Sequence, residues 1–195
     1  TINPGATYTI NGEGTLTGSG TVKVTRLGAS SSSDDFGNQY TISNKTLSNL
    51  IVEYAGAGNQ YTCDWNICNN IYYLKINNSS GNTIKSGANW SGVTILEVAS
   101  GKTFELGTNV LKVYYSVINN GTITGSGAID NGEICMTDGA SDYIVSGTGT
   151  YYNLKYNDAE NVTVEGNINV TGILQIDNGN FIINCGVTIT AVTMN

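Results

Sequence analysis

The chain carries 15 acidic and 8 basic side chains, with no histidine. The acidic residues that could do paired-carboxylate chemistry are Asp130 with Glu133, Asp138 with Asp142, Asp158 with Glu160, and Glu165. Glycoside hydrolysis needs two carboxylates at a set separation, and elimination from a sugar acid needs a base beside the ring. Each of these acids lies next to Asn, Gly or Ser in turn-like sequence. Turn formation and solubility account for them, and without histidine general acid–base chemistry loses its usual agent. No residue is therefore assigned a catalytic role. Asp130-Asn131-Gly132-Glu133 and Asp177-Asn178-Gly179-Asn180 offer oxygen ligands, but neither has the spacing of an EF-hand or of a glycine-aspartate repeat. Structural calcium is the one cofactor left open, and no other metal or cofactor is expected. Asp34-Asp35, in the run ASSSSDDFGNQ (29–39), reads as a solvated acidic loop rather than a cation site.

Three other residue types carry chemistry. The four cysteines, Cys63, Cys68, Cys135 and Cys185, allow three pairings. Cys63 and Cys68 are separated by D-W-N-I, which is not a redox or zinc spacing, so disulfides within or between chains are the expectation. Asn-x-Ser/Thr sequons begin at Asn44, Asn77, Asn78, Asn89, Asn120, Asn161 and Asn169, a small excess over what composition gives. The doublets Tyr72-Tyr73, Tyr114-Tyr115 and Tyr151-Tyr152, with Trp65 and Trp90, are candidates for a surface aromatic stripe. Strand neighbours point to opposite faces, so each doublet should place one ring inside and one outside.

The elements that would position these residues are short strands. Only 12% of residues are charged, about half the usual share, and there is one proline. Twenty-five glycines, with about as many Asn and Thr, fill the space charges normally take. Asn and Gly suit tight turns; Thr, Val, Ile and Tyr suit pleated surfaces. Over 151–190, V-T-V, I-N-V, I-L-Q-I and F-I-I alternate with Gly166, Gly172, Gly179 and Gly186. Strands this short, with no tight hairpin signals, hold together when the chain coils and each strand lies on its counterpart one turn earlier. The predicted fold is all-β: a single β-solenoid over 1–195 with uncapped ends, the alternative being a two-sheet β-sandwich. Coils of roughly 20 to 25 residues give about eight of them. Residues 29–39 form an irregular loop, and 55–70 form a lateral bulge holding the close cysteine pair.

Internal repeats support the coil. Gly14–Val22 resembles Gly121–Ile129, and Ile2–Ile10 resembles Val98–Leu106. Tyr72–Asn78 resembles Tyr151–Asp158, with Leu74 set opposite Leu154 and Ile84 opposite Val164, as if several coils had been duplicated. The start TINPGATYTI and the finish VTITAVTM both read as strands ready to pair. Pro4 is placed to blunt the first edge locally.

The net charge of −7 argues against nucleic acid as a partner. No apolar run is long enough for a membrane span. A start at Thr1 without Met fits a processed, secreted product.

The motifs GTYYNLKY, SGKTFEL, GTLTGSG and GTITGSG resemble the degenerate repeats of extracellular prokaryotic β-solenoid surface proteins. That group includes adhesin stalks and archaeal cell-sheath or surface-fibre subunits, the last being the nearest in kind. The resemblance implies a non-enzymatic structural subunit of a sheath, filament or surface layer at the cell surface. Such a subunit would self-assemble by amyloid-like β-edge pairing and be stabilised by disulfides. The alternatives are an adhesin or glycan-binding module and, further off, a polysaccharide-degrading enzyme.

Overall fold

The computed structural model describes residues 1–28, 34–62, 71–79 and 81–195, with the side chains of 90 and 91 left out. Among them the chain forms β1 (Ile10–Leu16), β2 (Thr21–Val24), α1 (Asp35–Gln39), β3 (Tyr40–Lys45), β4 (Ile51–Tyr54), β5 (Gln60–Tyr61), β6 (Tyr73–Ile76), β7 (Thr83–Lys85) and β8 (Trp90–Val98). It continues through β9 (Thr103–Glu105), β10 (Val110–Asn119), β11 (Thr122–Thr124), β12 (Glu133–Met136), β13 (Tyr143–Ser146) and β14 (Thr150–Tyr151). It ends with β15 (Asn153–Val164), β16 (Ile168–Ile183) and β17 (Ile189–Met194).

Every pairing among these strands is parallel, and each links residues about one coil apart. The fold is the expected β-solenoid, and the parallel ladders exclude the sandwich, which needs antiparallel sheets. Three faces run along the coil. The first stacks β2, β4, β6, the second half of β8, the second half of β10, β13, and the ends of β15 and β16. The second stacks β5, β7, β9, β11, β14, the start of β16 and the start of β17. The third stacks the first halves of β8, β10 and β15 with β12, then the middle of β16 and the end of β17. The coil makes about six turns, fewer than the eight expected. Successive coils take from 19 residues (Ile144 to Thr163) to 30 (Thr21 to Ile51), so the sequence period is irregular even though the stacking is not.

The core follows from two-residue alternation on each face. On the second face Ile84, Phe104, Ile123, Tyr151 and Val170 point inward and are fully buried or nearly so. Thr83, Thr103, Thr122 and Thr150, in the alternating outward positions, form a threonine column. On the third face Leu111, Ile134, Leu154 and Leu174 stack inward. Each fully buried aliphatic side chain is worth roughly 1.5–3 kcal/mol.

Asparagine holds the corners. The side-chain oxygens of Asn59, Asn89, Asn153 and Asn167 accept from the backbone N–H of Thr83, Val110, Ile173 and Thr188, one coil later, at 2.8–2.9 Å. The Asn content expected for turns therefore also ties each coil to the next.

Two local readings are corrected. The run 34–39 is not a solvated loop. Asp34 caps α1 by accepting from the Gly37 N–H, and Asp35 is fully buried, its Oδ2 accepting from Tyr61 N at 2.8 Å. Phe36 and Tyr40, with ring centroids 5.1 Å apart, fill the core there. The apparent duplication of 72–113 does not match equivalent places: Leu74 lies on the first face and Leu154 on the third, Ile84 on the second and Val164 on the first. All four point inward and are buried, because every face asks for the same alternation. The bulge at 55–70 is described only to Thr62 and includes β5.

Candidate functional site at the ends of the coil

The acidic candidates do not converge on a common centre. Asp130 and Asp177, from the two Asp-Asn-Gly turns, do meet, but on an ammonium: Lys155 Nζ lies 2.7 Å from Asp130 Oδ1 and 3.4 Å from Asp177 Oδ2. The cation these turns hold is covalently part of the chain. No group of three or more acidic or cysteine side chains placed for a metal occurs among the described residues. Glu133 is buried beside this pair and accepts from Asp130 N at 2.8 Å. Burial pushes its carboxyl above the ordinary range, against the pull of that hydrogen bond and of Lys155. Asp138 pairs with Lys112 at 2.9 Å, and Asp142 accepts from the Asn161 backbone and side-chain amides. Asp158 accepts from Tyr143 Oη at 2.5 Å and Gly139 N at 3.0 Å. Glu160 and Glu165 are exposed. Each carboxylate with a recorded partner is thus engaged structurally.

The other candidates disperse. Cys135 is a buried free thiol and Cys185 an exposed one; Cys63, Cys68 and Trp65 lie outside the described residues. Cys135 takes an outward position on the third face, covered between Lys112 and Lys155, and no disulfide is formed among the described residues. Asn78 is corrected as a glycan acceptor: it is fully buried, and both side-chain amide atoms lack a partner among the described residues. Asn44, Asn89, Asn120 and Asn169 are exposed, while the half-buried Asn77 and Asn161 donate to Glu53 and Asp142. Of the tyrosines, Tyr72 and Tyr115 are exposed, and Tyr73, Tyr114 and Tyr152 are half-buried. Tyr151 is fully buried, so it leaves the surface set. The one-in, one-out rule holds at 151–152 only. Tyr72 precedes its strand at a corner, and Tyr114-Tyr115 sit where the β10 register shifts between Val113 and Ser116. For Trp90 only the backbone is described, in register with Leu111.

What the coil does bring together lies at its ends. On the first face one inward column runs Ile2, Val22, Val52, Leu74, Leu96, Val117, Val145, Val164, Ile183. The seven interior members are 0% exposed; Ile2 is 44% and Ile183 49% exposed. At about 4.8 Å per rung this column is roughly 38 Å long. On the third face Leu174 is fully buried, but Met194, which stacks on it, is 63% exposed. Ile182 and Val192 add exposed apolar surface at the same end. Among the described residues no strand pairs with the outer edge of this last rung.

Alongside the column, V-K-V (22–24), V-E-Y (52–54), L-K-I (74–76) and L-E-V (96–98) stack with their central residues outward. Lys23, Glu53, Lys75 and Glu97 thus alternate in sign, with Lys23–Glu53 at 3.3 Å and Lys75–Glu97 at 3.0 Å. Glu97 also accepts from the Tyr73 hydroxyl. Half-exposed pairs like these are worth under about 1 kcal/mol each, yet a one-residue slip would turn every charge inward. These tripeptides, 22 residues apart from Glu53 to Lys75 and from Lys75 to Glu97, were the sequence signal that would have located the first face directly.

No family model matches the sequence, and no curated protein or solved structure matches it. No helix among the described residues is long and apolar enough to cross a membrane.

Proposed function

We propose that this chain is a structural, non-catalytic subunit of an extracellular polymer (a sheath, filament or surface layer) whose copies join through β-edges. The observation that carries this reading is the open last rung. Inward positions that are buried from Val22 to Val164 on the first face and from Leu111 to Leu174 on the third are exposed at Ile183 and Met194, beside an unpaired strand edge. An apolar, unpaired parallel edge is a template for another strand, and one more rung would bury it as its predecessors are buried. The engagement of Asp130, Glu133, Asp138, Asp142 and Asp158 in structural contacts supports a scaffold over an enzyme. Negative-stain electron microscopy and sedimentation over a concentration series test it: filaments or sheets are expected, and a stable monomer at high concentration overturns it.

A second reading, a glycan-contacting surface, is favoured by Tyr72 and Tyr115. Both are exposed and occupy the same corner, since the next residues, Tyr73 and Ser116, both register with Ile95. That sets them two rungs apart, roughly 9.6 Å along the coil. Loss of glycan-array signal in a Tyr72→Ala, Tyr115→Ala double variant would support it; a wild-type array without hits would remove it.

A further inference from the structure

Resting on the polymer reading above, we infer that the partner of the last rung is the N-terminal rung of a second copy, with Ile2 seated on Ile183 so that the first-face column continues across the joint.

The backbone phase at both ends carries this. Ile2 N–H donates to Thr21 O at 2.7 Å and Ile2 O accepts from Lys23 N at 2.9 Å, so both groups of Ile2 face their own coil. In a parallel strand the neighbouring residues face the other way, which leaves the C=O of Thr1 and the N–H of Asn3 directed off the end. At the far end Asn184 N donates back to Val164 O at 3.1 Å. Ile183, one residue earlier, therefore turns its N–H and C=O outward. Placing Ile2 on Ile183 brings the Ile183 N–H to the Thr1 carbonyl and the Asn3 N–H to the Ile183 carbonyl. This is the pattern Ile2 already makes with Thr21 and Lys23. Pro4, which lacks an N–H, lies one residue beyond the three that pair.

Side chains choose the same register. It closes Ile2 and Ile183, the two exposed ends of an otherwise buried column, against each other. It sets Asn184 beside Asn3, as Asn180 lies beside Asn161 inside the coil, where the Asn180 Nδ2 donates to Asn161 Oδ1 at 2.9 Å. A slip of one residue onto Asn184 would meet an N–H already turned back to Val164 O of its own coil and would separate the two isoleucines.

The test uses the full chain carrying Cys185→Ser. Asn3→Cys and Asn184→Cys together form the in-register pair; directly opposed strand residues lie within disulfide reach. Thr1→Cys with Asn184→Cys is the pair two residues out of register, and all four positions, Cys185 included, are exposed. After mild oxidation, the in-register pair is expected to give a ladder of dimers, trimers and higher species on a non-reducing gel, at least ten-fold above the other pair and the single variants. Filaments by microscopy with equal or stronger cross-linking in the out-of-register pair would overturn the register while leaving the polymer standing. Monomers under the microscope, for wild type and variants alike, would overturn both.

Discussion

Gly166 lies so close under Gly147 of the preceding coil that a Cβ on it would stand 1.8 Å from the Gly147 carbonyl oxygen. The obstacle is backbone on both sides, so no rotamer can relieve it. Gly166→Ala is expected to cost about 2–3 kcal/mol or more of stability. Gly14→Ala, where nothing lies within 4 Å, should be near neutral. Thermal unfolding of the two variants side by side checks this, and equal melting temperatures would mean the coils are not packed this closely.

Two buried or bonded carboxylates should respond to pH with opposite sign. The folded-state value of Glu133 is raised above its ordinary 4.5, chiefly by burial. Its contribution is then fully present below that value and is lost as pH rises through the folded-state value. Glu133→Gln should therefore raise the melting temperature by roughly a few degrees at pH 7, with the gain vanishing near pH 4. For Asp158, burial works upward, but hydrogen bonds from the Tyr143 hydroxyl and from the N–H groups of Ala159, Gly139 and Glu160 outweigh it and hold the carboxyl below 3.8. Its contribution is present above 3.8 and is lost as pH falls through the folded-state value. Asp158→Asn should cost stability at pH 7 and progressively less as pH falls below 3.8. Melting curves from pH 2 to 8 that show both variants moving together would contradict the assignment.

The coil itself was legible because its requirements are local: short alternating runs, glycine punctuation and few charges. Which face each run occupies was not. Leu74 and Leu154 align in sequence yet sit on different faces, since a strand's alternation carries no label for its side of the coil. The longer-range partners were hidden for a related reason. Asp35 reads as a solvated acid until the Tyr61 N–H, 26 residues away, is brought to it. Lys155 gives no hint in sequence of closing two Asp-Asn-Gly turns. Of the two ends, the C-terminal run forms a strand, β17, whereas the N-terminal run makes only the isolated bridge of Ile2 to Val22; Ile2 and Ile183 terminate one shared column.

The two described thiols should differ sharply in reactivity. Burial, with Glu133 nearby, pushes the Cys135 thiol up to about 12, while Cys185 is exposed. Alkylation at pH 8 followed by peptide mapping should label Cys185 within minutes and Cys135 about a hundred-fold more slowly, until the protein is unfolded. Comparable rates would show that the Lys112 and Lys155 side chains do not cover Cys135.

A charge at either end of the column should block assembly without unfolding the subunit. Ile183→Lys and Ile2→Lys each alter a half-exposed side chain, so the monomer's melting temperature should change little. The sedimenting fraction should fall about ten-fold or more, because an ammonium buried at the joint is left unpaired. Lys in place of the outward Thr190 serves as the control and should leave sedimentation unchanged.

The most direct test of edge-to-edge stacking is X-ray diffraction from oriented fibres of the purified protein. Copies stacked end on end continue the coil, so the spacing between rungs, about 4.8 Å, should appear as a reflection along the fibre axis. A reflection of that spacing perpendicular to the axis would show that the copies join through their lateral faces, and would contradict the account.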